Sequence, residues 1–200
     1  MIYFTSDLHF GHINILRHCD RPFADIDEMD RELIARWNRR VTPQDDVYIL
    51  GDLFYRNQRS AAEYLRQLAG HKYLILGNHD VKWLKGMNLS LYFENVSRME
   101  ERKIGDHFMT LCHYPMLAWS GCARGHYLVH GHIHNSTSMP YWPVLQHMDT
   151  ALNAGVDIND FQPVTLEELI KNNAVQKQKP YVPSDRSPDY NTGRDDRYRE

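Results

Sequence analysis

The chain has 200 residues, 42% of them hydrophobic, which suffices for one domain with a substantial core and makes a second domain unexpected. Its formal net charge of -3 supplies no overall basic field for nucleic acid or anionic lipid, although a local basic rim is compatible with it. No apolar run approaches the roughly 18 residues of a membrane span, and MIYFTSD lacks the basic start and long apolar core of a signal peptide, so no membrane partner and a cytoplasmic location are expected.

In chain order, residues 2–5 read as the first strand, an apolar run with β-branched and aromatic members. Met29, Leu33, Trp37 and Val41 then recur at every fourth position, one apolar stripe on a helix. A second strand is predicted over 47–50. Ser60 followed by Glu63 is a capping box opening AAEYLRQLAG, a helix that Gly70 should close. Strands follow at 72–76, 108–111 and 127–129, and Thr165 with Glu168 repeats the capping signature before a last helix. Strand, helix, strand is the α/β rhythm, in which functional groups gather where strands end. From residue 171 the chain is polar, carries several prolines and shows no apolar periodicity. It is read as a tail, disordered in isolation, either a solvated terminus or a partner-binding segment using its tyrosines and arginines.

Twelve histidines stand out, while Cys19, Cys112 and Cys122 show no CxxC spacing that would indicate a disulfide framework or thiolate zinc site. All five predicted strands run into polar groups: Ser6-Asp7-Leu8-His9, Gly51-Asp52, Gly77-Asn78-His79-Asp80, Cys112-His113 and His130-Gly131-His132-Ile133-His134. One such end is a weak signal, because a lone strand-end histidine is usually hydrogen-bonded structure. Five in this order, D-x-H, G-D, G-N-H-D, H and G-H-x-H, resemble the calcineurin-like metallophosphoesterase family. LNAGVDINDFQPVTLEEL resembles the closing strand and helix of small members. DLHFGHINILRHCDRPF, MDRELIARWN and DDVYILGDL resemble a stand-alone bacterial and phage subgroup whose substrates are generally unassigned.

The resemblance implies an α/β fold of four αββα layers, a β-sandwich flanked by helices, occupying residues 1–170 with the tail at 171–200. It implies two divalent metal ions at one edge, the first held by Asp7, His9, Asp52 and His134, the second by Asp52, Asn78, His113 and His132. Asp52 would bridge them, and a bridging hydroxide would attack phosphorus. Manganese is the expected metal, with iron, zinc and nickel suiting the same ligands. His79, a non-ligand, would stabilise the transition state and protonate the leaving oxygen, with Asn78 also facing the substrate. Protein-phosphatase members carry Asp-Arg-Gly after the G-D motif; GDLFYRN departs from this, which argues against a phosphoprotein substrate and leaves the partner of His79 unassigned. A small phosphodiester or nucleotide is the expected substrate, ahead of a phosphomonoester. Nucleic acid comes third because of the acidic net charge, and a non-catalytic scaffold is the rival from another class.

Weaker candidates keep two readings each. His12 either reaches a bound phosphate or hydrogen-bonds behind the ligands. Arg21 either grips a substrate phosphate or lies on the solvated surface. Asp80 either orients His79 or caps the next turn. Tyr114, Trp119 and the aromatics of MPYWP could stack a nucleobase or pack a loop. His130 reads as structural and Cys112 as core, while His18, His71, His107, His126 and His147 show no pattern above background.

Overall fold

Among the described residues, eight strands form in the order β1 (Ile2–Thr5), β2 (Asp46–Ile49), β3 (His71–Ile75), β4 (Asn95–Ser97), β5 (Met99–Ile104), β6 (His107–Cys112), β7 (Tyr127–His130) and β8 (Ala151–Asn153). The helices are α1 (Ile15–His18), α2 (Ile26–Arg40), α3 (Ala61–Leu65), α4 (Asp80–Trp83), α5 (Trp142–Leu145) and α6 (Leu166–Gln176). The computed structural model describes residues 1–55 and 59–183.

The strands make two four-stranded sheets, β1-β2-β3-β4, parallel throughout, and β5-β6-β7-β8, parallel except for the β5-β6 pair. Strand alternation buries both faces of each central strand. On β1 and β2, Phe4 and Tyr48 point into the sandwich, where they meet Met109, Leu111, Val129 and Leu152 of the second sheet. Tyr3, Val47 and Ile49 point the other way, onto Met29, Leu33 and Trp37 of α2 and Leu65 of α3. Leu128 and Ala151 on the outer face of the second sheet pack with Trp142 and Leu145 of α5. The layers are therefore helix, sheet, sheet, helix. The edge strands β1 and β8 are closed by isolated bridges, Ser6 to Gly155 and Phe4 to Val164.

The five predicted strands lie within one residue of β1, β2, β3, β6 and β7. No expectation covered β4 and β5: their residues NVS and MEERKI lie at sheet edges, mostly solvent-facing, β4 spanning only three residues and β5 carrying charge where a buried strand would carry apolar side chains. The helix expected to reach Gly70 stops at Leu65, and the turn after it is held by Lys72 Nζ, which donates to the carbonyls of Leu68 and Gly70 at 2.8 Å each. In α6 the capping box is complete, Thr165 and Glu168 satisfying each other's backbone amides.

Past residue 170, α6 runs on to Gln176 and docks through polar side chains. Asn173 Oδ1 accepts from Asn153 N at 2.7 Å, Gln176 donates to Asn135 O at 3.0 Å, and Lys177 Nζ donates to Met148 O and Ala151 O at 2.6 and 2.7 Å. Trp142 Nε1 donates to Lys179 O at 3.1 Å. Amides that satisfy buried backbone groups leave no apolar period to read, so residues 171–179 resembled a tail. Residues 184–200, the rest of that tail, lie outside the described residues.

Candidate metal centre

Because β1, β2 and β3 are parallel, as are β6, β7 and β8, their carboxyl ends deliver loops to one edge of the sandwich. Asp7 and His9 follow β1, Asp52 follows β2, Asn78 and His79 follow β3, His113 follows β6, and His132 and His134 follow β7. Five of these residues hold left-handed backbone: Asp7 (φ 57°), His9 (φ 54°), Asp52 (φ 54°), His132 (φ 74°) and His134 (φ 51°). L-residues visit this region at a cost of about 1–2 kcal/mol, so the clustering marks a site whose side-chain directions are imposed by its surroundings. The loops also approach one another closely. A Cβ on Gly131 would lie 2.6 Å from Asp7 Oδ2, and one on Gly77 would lie 2.7 Å from Asp52 N, so only glycine fits at either position.

Ligand atoms of Asp7, His9 and His134 all lie within 4.8 Å of one another, as do those of Asp7, Asp52 and His113. Asp52 stands between the sets, its Oδ2 3.7 Å from His9 Nε2 and 3.5 Å from His113 Nε2. Asn78 Oδ1 lies 3.1 Å from both His113 Nε2 and His132 Nδ1. His79 belongs to neither set. Its backbone N–H donates to Asp52 Oδ1 at 2.9 Å, its ring nitrogen lies 3.8 Å from Asp52 Oδ2, and its ring packs edge-on against Tyr55 at 4.4 Å. His12 sits beside them, its ring 4.3 Å from Tyr55 and 5.2 Å from His9. Tyr55, which sequence reasoning missed, thus touches both imidazoles; Arg56 and Asn57 of the departing GDLFYRN stretch lie outside the described residues.

Two expectations change. Arg21 is neither on the surface nor open to a substrate: it is buried, paired with Asp157 through Nε and Nη2 at 2.8 and 3.1 Å, and it donates to the carbonyls of Leu8 at 2.8 Å and Asp7 at 2.6 Å. Asp80 does not orient the His79 ring. Its carboxylate accepts from the amides of Gly77 and Asp52 at 2.8 Å each, Leu53 at 3.0 Å and Trp83 Nε1 at 2.8 Å, tying the β2 and β3 loops together. Trp119 donates to His126 O and Trp142 is fully buried, so both pack structure, whereas Tyr114 stays 45% exposed beside His113 and His132.

A profile of the calcineurin-like phosphoesterases matches residues 1–195. The chain belongs to that family. An uncharacterised protein of Methanocaldococcus jannaschii, MJ1445, is 34% identical to this phosphoesterase over 172 residues, covering 85% of the chain and 89% of the archaeal protein. The gene 66 protein of Mycobacterium phage D29 is 33% identical over 159 residues, 67% of this chain and 78% of its own. Among solved structures, AQ665 of Aquifex aeolicus, a protein of unknown function, aligns with a TM-score of 0.66 at 26% identity, over 86% of this chain and 98% of its own. No helix among the described residues is long and apolar enough to cross a membrane.

In the phosphoesterase, protonation follows from burial and partners. Burial opposes a charge on His134, yet Asp7 and the hydrogen bond to Asp157 raise its pKa well above the usual value. Burial likewise works against His113, but Asp52, Asp7 and the 2.6 Å contact to Leu50 O outweigh it and push the pKa up to about 9. Burial lowers His9, His12 and His79, His12 to about 3. The Nδ1–H of His134 donates to Asp157 Oδ2 at 2.8 Å, which turns Nε2 towards Asp7 and His9. Asp157, also missed from sequence, lies just past β8 and repeats the rule that strands here end in a ligand or its support. Cys19, His134 and Asp157 form a third close set, but Arg21 and His134 already occupy the Asp157 oxygens. The donor set fits a divalent cation: carboxylates and imidazoles converge without thiolate, and His9 Nε2 is buried with no hydrogen-bond partner, a cost that a cation removes.

Proposed function

We propose that this phosphoesterase holds two divalent cations and hydrolyses a small phosphodiester. One observation carries the reading: a single carboxylate, Asp52, lies within 3.7 Å of His9 Nε2 and 3.5 Å of His113 Nε2, between two donor sets. Asp7, His9, Asp52 and His134 would hold one cation, and Asp52, Asn78, His113 and His132 the other. When bound, the pair supplies positive charge that draws in a phosphate and acidifies water near neutral pH.

The remaining work falls to the chain. His79, beside Asp52 but in neither set, faces the leaving oxygen and protonates it. Burial depresses its proton affinity, while the Asp52 carboxylate and an arriving phosphate anion act the other way. His12, held against Tyr55, contacts the phosphate from the β1 side. Burial holds the His12 pKa at about 3 and Arg21 is committed to Asp157, so of these three groups His79 alone brings a proton to the phosphate. That suits the single charge of a diester better than the double charge of a monoester. The chain's net charge of -3 disfavours a long polyanion.

The test is hydrolysis of paired aryl phosphate mono- and diesters by metal-stripped protein, before and after manganese is restored. Manganese, which suits nitrogen and oxygen donors, is the first ion to try. Manganese-dependent turnover favouring the diester is expected. Preference for the monoester would reassign the chain as a phosphatase, and no turnover with metal bound would make it a scaffold.

A further inference from the structure

Tyr114 has no part in the chemistry assigned above, yet it sits at the rim of the centre. Its ring stands nearly perpendicular to those of His113 (5.1 Å, 74°) and His132 (4.7 Å, 66°), which fix it in place, and it is 45% exposed. Leu117, three residues on in the same loop, is 71% exposed. The other aromatics of the two nearby loops are occupied: Trp119 donates to His126 O, while Tyr141 and Trp142 pack with Leu128 and Leu145.

The position of Tyr114 relative to His79 says which part of a substrate it meets. His79 packs against His9 and Tyr55, on the His9 side of the centre. Tyr114 packs against the imidazoles on the His113 side. In hydrolysis a water oxygen forms the new P–O bond, the bond to the leaving oxygen breaks, His79 supplies that oxygen's proton, and the water's proton passes to solvent. The leaving arm therefore departs at His79, and an arm near Tyr114 stays on phosphorus.

Resting on the phosphoesterase reading above, we propose that Tyr114 forms a subsite for an aromatic group, an aryl ring or nucleobase, on the retained arm of a phosphodiester. A phosphomonoester has no retained arm, so the subsite selects diesters.

Bis(4-nitrophenyl) phosphate and methyl 4-nitrophenyl phosphate release the same leaving group and differ only in what remains, so the ratio of their kcat/KM values reads this subsite. With the full chain loaded with manganese, Tyr114→Ala and Tyr114→Leu should each lower that ratio by about ten-fold, within the usual range for one aromatic stack, and Tyr114→Phe should preserve it. Calorimetry gives a readout without turnover: phenyl phosphate, the product whose ring was the retained arm of an aryl diester, should bind wild type more tightly than methyl phosphate, and Tyr114→Leu should remove the difference. An unchanged ratio in both the alanine and leucine variants, with turnover intact, overturns the subsite and leaves the phosphoesterase reading standing. Hydrolysis of neither ester by wild type overturns that reading and the subsite with it.

Discussion

Replacing Asp157 by asparagine removes one charge from the buried Arg21–Asp157–His134 chain while nearly preserving its shape. The Asp157 side chain is 1% exposed and accepts from Arg21 twice and from His134 once, at 2.8 to 3.1 Å. Burial opposes its ionisation, but Arg21 and His134 hold its pKa down at about 2 against an ordinary 3.8. That gap corresponds to roughly 2–3 kcal/mol of folding stability, present above pH 3.8 and lost as the pH falls through 2. Removing one partner of a buried pair, which strands the other charge, costs about 3–5 kcal/mol in comparable cases. Both routes give a few kcal/mol, and at about 2–4 °C per kcal/mol for a domain of this size the metal-free variant should melt roughly 5–20 °C below wild type. Its affinity for manganese should fall about 10- to 100-fold, since His134 loses the carboxylate that orients it. Thermal unfolding without metal and calorimetric titration with it provide the assays. A variant with wild-type melting temperature and wild-type metal affinity would show that Asp157 neither braces Arg21 nor orients His134.

Raising the pH should destabilise the metal-free protein, because the stability tied to protonated His113 is complete below its ordinary pKa of 6.5 and is lost as the pH rises through about 9; metal affinity should climb over the same range as that proton leaves, which calorimetry at several pH values would record. His79→Ala should retain bound metal, measured by elemental analysis, yet lose about 10²–10⁴-fold in turnover of esters with poor leaving groups and much less with 4-nitrophenyl esters; equal losses for both would remove the acid role. Asn173→Ala strands the buried Asn153 N–H and should cost about 1–3 kcal/mol in urea unfolding, whereas a residue in a dispensable tail would cost nothing.

The sheet-forming runs and the ligand order were readable from sequence because both follow local rules. Short apolar runs rich in β-branched and aromatic residues mark β1, β2, β3, β6 and β7, and polar groups immediately after an apolar run need partners that only a shared edge supplies. What escaped notice depends on contacts distant in sequence. Arg21 and Asp157 are 136 positions apart, and nothing near either one signals that their charges cancel in the interior. Asp80 looked ambiguous because its four donors come from three separate segments. Asn173 and Gln176 bury amides where a core face usually presents leucine, so the periodicity that located α2 was silent on α6. Asp157 alone had an available signal: treating residues 151–153 as a strand adds a sixth polar strand end.

Parallel strands aim their loops at one edge, but they do not converge the side chains. Convergence comes from the left-handed residues, which turn Asp7, His9, Asp52, His132 and His134 inward within very short loops. Each strained turn is tied down by a buried charge. Arg21 grips the carbonyls of Asp7 and Leu8, Asp80 accepts from the amides of Asp52 and Leu53, and the Asp7 carboxylate accepts from His132 N at 2.9 Å. Asp7 is thus both a ligand candidate and the tie between the β1 and β7 loops, so losing it should disturb both donor sets. The braces hold most of the geometry before any cation arrives, which is how preorganisation lowers the cost of binding. Neutralising Asp80 or Asp157 should therefore weaken metal binding although neither has a free oxygen to offer the cation. The effect should appear in affinity first, and in turnover only at metal concentrations that leave the centre partly filled.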